Sequence, residues 1–129
     1  VEPAAKKGKL KLLLIDEANR FFPSPHRPMQ QMAKLVDFHR HWAPTDKKTL
    51  ELKEKGLAVV LISRRPVQLC TNVIELADYN IFFNLSGKND IDYLNSLCRG
   101  LGEEVAKLPD FHFVLRKGRD FQLCSPMKI

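Results

Sequence analysis

Two acidic residues, Asp16 and Glu17, stand side by side where the apolar run Leu10 to Ile15 ends. A carboxylate pair presented by a rigid strand suits chemistry on a metal-bound polyphosphate. The aspartate can hold Mg²⁺ through water, and the glutamate can orient and polarise the water that attacks a γ-phosphate. A second polar set, Ser63-Arg64-Arg65, follows the apolar run Leu57 to Ile62. Ligands of open parallel sheets sit at the carboxyl ends of the strands, so both sets fall where such a sheet does its work. Taken alone, Asp-Glu after an apolar run serves equally well as a strand cap and the start of a turn. Ser63 as a nucleophile lacks the G-x-S-x-G elbow that would present its hydroxyl.

Three strand-length apolar runs must position these residues: Leu10 to Ile15, Leu57 to Ile62, and Tyr79 to Leu85, which runs into Ser86. The first two are near-continuous, as central parallel strands covered on both faces should be. Between them Met29, Met32, Leu35, Val36, His39 and Trp42 recur at helical spacing, predicting a helix from Pro28 to Trp42 that Pro44 ends. A shorter charged helix is expected from Asp46 to Lys55, stopped by Gly56. Ile91, Leu94, Leu97 and Cys98 predict another, stopped near Gly100 and Gly102. Strand, helix, strand, helix, strand is the order of right-handed parallel crossovers, with at least three parallel strands. Near the end, Phe111, Phe113 and Leu115 alternate with His112, Val114 and Arg116. A turn at Lys117-Gly118 and the pair Phe121 and Leu123 then predict a terminal β-hairpin. Residues 1–9 read as a loose lead-in to a single unit of residues 10–129.

The 129 residues are 44% hydrophobic and 28% charged, which excludes disorder as the default. No apolar run approaches the roughly 18 residues of a membrane span, and the N-terminus is not signal-like, so a soluble, cytoplasmic chain is expected. Cys70, Cys98 and Cys124 form no CxxC pair and read as buried thiols. His39 and His41 flank Arg40 and read as helix-surface histidines, because residues two apart on a helix point in different directions. The net charge of +6 permits a nucleic-acid partner without establishing one. Arg116, Lys117 and Arg119 read as a solvated turn and are also the candidate contact for DNA phosphates. Trp42, Phe21, Phe22 and Phe38 read as core or interface.

The stretch LLLIDEANRFFP, Leu12 to Pro23, closely resembles the Walker B segment of the FtsK–HerA group of P-loop ATPases. KGLAVVLISRRP, Lys55 to Pro66, is similar to the next strand of that group, which typically ends Thr-Gln-Arg-Pro. VIELADYNIFFNLSGKNDIDYL, Val73 to Leu94, resembles its last core strand with the helices on either side. LPDFHFVLRKGRDF, Leu108 to Phe121, resembles its closing hairpin. The resemblance covers most of the chain in order, and its motifs are specific jointly rather than singly.

The resemblance implies an α/β fold, a three-layer P-loop NTPase arrangement of the RecA-type ASCE kind with a partial parallel sheet and a C-terminal hairpin. It implies an ATP-hydrolysing motor that moves double-stranded DNA as a homo-oligomeric ring, in genome packaging, DNA transfer or DNA processing. In that motor Asp16 would serve Mg²⁺, Glu17 the attacking water, and Ser63, Arg64 and Arg65 the nucleotide. Arg64 replaces the usual sensor glutamine, and a guanidinium cannot accept a hydrogen bond from water as an amide oxygen can. Lys53 stands where related chains carry a basic element with arginine. No GxxxxGK[ST] occurs, so the phosphate cradle is absent from these residues, and ATP and Mg²⁺ would need a separate N-terminal half. Two other readings stay open. Asp16-Glu17-Ala18-Asn19 approaches the Asp-Glu-Ala-Asp of helicase cores, although no Ser-Ala-Thr follows. The chain could also be a non-catalytic module that binds a partner subunit or nucleic acid.

Overall fold

The structure is a computed structural model that describes residues 1–25, 28, 30–51 and 55–128. Met29, on the expected long helix, and Leu52, Lys53 and Glu54, in the expected charged one, lie outside the described residues. The chain divides into two compact units, Val1–Arg64 and Arg65–Ile129.

In the first unit, residues 1–9 are not a loose lead-in, because helix α1 spans Glu2–Lys6. Pro3 suits a first turn, Glu2 favours the positive helix start, and Lys6 closes an ion pair with Glu2 at 2.7 Å. Ala5 is buried beneath it. Strand β1 (Leu12–Ile15) pairs in parallel with β2 (Ala58–Leu61), from Leu12 opposite Ala58 to Ile15 opposite Leu61. The crossover between them holds helix α2 (Gln30–Phe38), which tightens into a 3₁₀ turn at His39–His41 and stops before Trp42. There a ring nitrogen of His39 lies 3.0 Å from the Leu35 and Val36 carbonyls, so the side chain caps the helix from which it hangs. Phe22, Leu35, Trp42, Ala43 and Leu57 are buried in this unit.

Two expectations fail here. The charged helix does not start at Asp46. Its carboxylate accepts the backbone N–H groups of Lys48 (2.7 Å) and Thr49 (3.1 Å), and Leu50 takes a φ of 59°, so the chain closes a turn instead. Gly56 stands just ahead of β2. A Cβ there would sit 1.9 Å from the Arg40 carbonyl oxygen, so glycine permits a close backbone approach at the entry to β2. Nor are β1 and β2 covered on both faces. Leu12, Leu14, Ala58 and Val60 share an exposed face, continued by Ile62, while Leu13, Ile15, Val59 and Leu61 are half-buried.

The second unit contains the third apolar run as β3 (Asn80–Phe82), and its partner is not the parallel pair. It lies antiparallel to β4 (Phe113–Lys117), which pairs with β5 (Asp120–Cys124), giving the order β3-β4-β5. Among the described residues the parallel sheet therefore has two strands, not three or more. The hairpin is present and Phe121 packs against the core, but the buried face of β4 is not its phenylalanine face. Val114 is fully buried and Arg116 nearly so, whereas Phe111 is exposed. Phe113 meets Phe83 on the opposite face, with ring centroids 5.8 Å apart.

Helices α3 (Thr71–Leu76), α4 (Lys88–Leu97) and α5 (Leu101–Ala106) complete the unit. Gly100, at φ 82°, makes the turn between α4 and α5, but Gly102 lies inside α5 rather than ending a helix. Leu94, Leu101, Val105 and Val114 are the fully buried centre of a core with Phe82, Cys98 and Leu108. Asn84 donates to the carbonyls of Val105, Ala106 and Leu108 at 3.1 to 3.3 Å, satisfying the open end of α5. Cys70 and Cys98 are buried and Cys124 only partly so; all three are free thiols. Among the described residues, no helix is long and apolar enough to cross a membrane.

Candidate functional site at the carboxyl edge of the parallel strands

Two backbone hydrogen bonds tie the exit of β1 to the exit of β2. The Ile62 N–H donates to the Ile15 carbonyl at 2.9 Å, and the Ile62 carbonyl accepts from the Ala18 N–H at 2.8 Å. The peptide of Ile62 thus spans the acidic pair, and Asp16 and Glu17 cannot swing away from the residues that follow Ile62. Glu17 itself is in the left-handed region, φ 51° and ψ 44°, unusual for a residue with a side chain. The Asp16 carboxylate accepts the Glu17 N–H at 2.7 Å, which supports that conformation. Ala18, fully buried, begins the 3₁₀ turn Ala18–Arg20 and anchors the loop.

This turn aims Glu17 at the end of β2. One carboxylate oxygen lies 3.2 Å from the Arg64 guanidinium and the other 3.3 Å from Nε of Arg20. Arg64 is 87% exposed, so the pair is solvated and worth about 0–1 kcal/mol. Such a contact can exchange for a phosphate oxygen at little cost. The sequence pairs Glu17 with Arg64 only by function; the structure brings them into contact. Arg20, a third member of the group, lies within the LLLIDEANRFFP stretch, and its i,i+3 spacing from Glu17 accounts for the contact.

Arg65 goes elsewhere. Its Nε donates to the buried Asp90 carboxylate at 2.9 Å, within the second unit, and the Val67 N–H approaches the other Asp90 oxygen at 3.4 Å. Arg65 therefore anchors the 3₁₀ turn Pro66–Gln68 to α4. The hairpin triplet is divided too. Arg116 is nearly buried and donates to the Asn80 side chain, and Lys117 lies over the Tyr79 ring at 5.5 Å, while Arg119 is exposed. Two of the three candidate phosphate contacts thus have partners inside their own unit.

A metal at this edge would have few protein ligands. Among the described residues no three His, Cys, Asp or Glu side chains cluster as a metal site. Mg²⁺ in nucleotide sites usually takes one or two carboxylates and completes its shell with water and phosphate oxygens. The exposed Asp16 carboxylate fits that limited role.

A parallel β-pair joined by a helical crossover, with Asp-Glu at one exit and Ser-Arg at the other, is an α/β arrangement. Solved structures that share this fold include genome-packaging NTPases. The B204 protein of Sulfolobus turreted icosahedral virus 2, in complex with ATPγS, matches over 98% of the chain with a TM-score of 0.80 and 21% identity. The same protein with AMP matches over 95% with a TM-score of 0.77 and 20% identity. B204 described as the DNA-packaging ATPase of Sulfolobus turreted icosahedral virus matches over 98% with a TM-score of 0.80 and 20% identity. The chain spans 56–57% of the length of these three structures. No family model matches the chain, and no curated protein does.

Proposed function

We propose that this chain supplies the Walker B and sensor part of an ATP-driven motor that packages double-stranded DNA. The observation that carries the reading is the contact between Glu17 and Arg64, made where two parallel strands end side by side. In this reading Asp16 would hold Mg²⁺ through water, and the ion would supply charge neutralisation for the nucleotide. Glu17 orients the attacking water and accepts its proton, once a phosphate has drawn Arg64 from the carboxylate. Ser63 and Arg64 meet the γ-phosphate. Arginine in place of an amide gives charge stabilisation there and leaves the placing of water to Glu17.

The phosphate cradle comes from a separate P-loop segment. The exposed apolar face of Leu12, Leu14, Ala58, Val60 and Ile62 supports that division, since an open hydrophobic sheet face is costly to leave in water. The 57% span against the ATPγS-bound structure also supports it. The packaging role and the nucleotide rest on the likeness to B204, and a ring of identical subunits would follow from the same reading.

The test is to supply a P-loop segment, GxxxxGK[ST] between a strand and a helix, fused ahead of Val1 or as a separate polypeptide. ATPγS binding and phosphate release are then measured with and without Mg²⁺. Mg²⁺-dependent hydrolysis that falls on Glu17→Gln while ATPγS binding persists is the expected result. Hydrolysis indifferent to both Asp16→Asn and Glu17→Gln would overturn the reading.

A further inference from the structure

The net charge is unevenly shared between the two units. Residues 1–64 carry thirteen lysines and arginines against seven acidic residues, whereas residues 65–129 carry eight of each. The whole excess of +6 therefore belongs to the first unit. A field of that sign attracts polyanions and releases their counterions on contact. The hairpin singled out by its run of basic residues lies in the unit with no net charge, and there Arg116 and Lys117 already have partners.

Within the first unit, α1 and α2 flank a groove of about 360 Å³ lined by Glu2, Lys6, Lys34, Phe38, His41 and Trp42. Lys34, Phe38 and His41 follow one another at i, i+4 and i+7, so they share a face of the helix and its 3₁₀ extension. Phe38 is 52% exposed, and Trp42, buried, lines the same groove. Lys6 reaches in from α1, held 2.7 Å from Glu2. Two ammonium groups and an imidazole thus line the groove beside an accessible aromatic ring, the combination that single-strand binding sites use. The Glu2 carboxylate is the anion that Lys6 holds in this structure. Lys6 and, more weakly, Lys34 hold that carboxyl below its ordinary value, so it already behaves as a resident anion.

We propose that this groove binds a nucleic-acid strand, with phosphates on Lys6 and Lys34 and an unpaired base stacked on Phe38. The proposal deepens the DNA-motor reading by locating the DNA contact, but its chemistry needs neither nucleotide nor the Glu17 site. A platform for one base favours single strands, such as the frayed end of a duplex, over continuous double helix.

The test uses the 129-residue chain alone, with fluorescence anisotropy on a labelled 20-nucleotide single strand and on a 20-base-pair duplex across a salt series. The single strand is expected to bind more tightly. Lys6→Gln with Lys34→Gln should reduce the slope of log K against log salt by about 1.4 for the single strand, near 0.7 for each phosphate that is no longer neutralised. Phe38→Ala should remove the preference for single strands. Glu2→Gln, which deletes the competing anion, should tighten binding about two- to five-fold, the worth of one exposed ion pair. Circular dichroism on each variant checks retention of fold, and Glu2→Gln remains decisive if a lysine variant unfolds. Equal affinity for both DNAs, no binding at all, or a salt slope lowered by Lys117→Gln with Arg119→Gln and not by the lysine pair would each overturn the proposal.

Discussion

Glu17 and Arg64 face each other across the ends of two parallel strands, with carboxylate and guanidinium 3.2 Å apart and Ile62 pinned between them by backbone bonds to Ile15 and Ala18. The contact satisfies a glutamate in a left-handed conformation, yet the arginine is almost fully in solvent. A geometry held by backbone and a weak outer ion pair separates placement from stability.

Arg64→Ala should therefore change stability by less than about 1 kcal/mol, the ceiling for an exposed pair. If the proposed motor role holds, Glu17→Gln should lower kcat of the P-loop-supplied assembly by about 10²- to 10⁴-fold, the span ascribed to a positioned acid–base group. Urea denaturation of the chain and phosphate release by the assembly check the two halves separately. A large stability loss in Arg64→Ala would show that the pair holds the fold rather than awaiting a phosphate.

Gly56→Ala should be costly out of proportion to one methyl group. The added Cβ would lie 1.9 Å from the Arg40 carbonyl oxygen and 2.6 Å from its Cα, and backbone cannot rotate aside as a side chain can. Overpacking of this kind costs about 1–3 kcal/mol or more. Because Gly56 leads into β2, the shift would also disturb the edge that carries Arg64. The midpoint of urea unfolding should fall, whereas Gly118→Ala, at a hairpin turn with open space around it, should show only the strain of its positive φ of 61°.

Tyr93 gives the second unit a stability that depends on alkaline pH. Burial raises its hydroxyl pKa above 10.0, so the native state keeps the proton where the unfolded chain would lose it. Its contribution is complete below pH 10 and is lost as pH rises through the native pKa, because ionisation then favours the unfolded state. Lysines titrate in the same range, so the readout is a difference. The stability gap between the wild type and Tyr93→Phe should shift in favour of the phenylalanine variant between about pH 9.5 and 11. A constant gap across that range would place the hydroxyl in solvent.

What the sequence disclosed depended on how local its cause was. The strand ending in Asp16-Glu17 and the strand ending in Ser63-Arg64 were legible because an apolar run followed by charge has few other structures. Their parallel pairing also fits the helical crossover. Asp46 misled, because a run of charged residues favours a helix until an aspartate turns to cap its own backbone. The hairpin was visible but its buried face was not. Phe113 alternates as a core residue should, yet the core of that unit is completed by Val114, and Arg116 is drawn in by Asn80 from a strand 36 positions away. The candidate groove was not legible because Lys6 and Lys34 meet only when α1 folds, and residues 1–9 carry no hydrophobic period.

Arg65 tests how far a motif can assign chemistry. Placed by resemblance beside the γ-phosphate, it instead donates to Asp90, whose side chain is 3% exposed, and it shares that carboxylate with the Val67 backbone. A buried carboxylate left without its cation is far costlier than an exposed arginine left without its anion. Arg65→Ala should accordingly destabilise the chain by about 1–2 kcal/mol, reduced from the fully buried figure because the guanidinium itself is nearly half in solvent. Asp90→Asn should cost less, since the amide oxygen can still accept from Arg65 and the buried charge is gone. On the proposed motor reading, both variants should leave kcat of the P-loop-supplied assembly within a few-fold of the parent at temperatures where they are folded. An Arg65→Ala variant of unchanged stability and sharply reduced kcat would return Arg65 to the nucleotide and leave the Asp90 contact incidental.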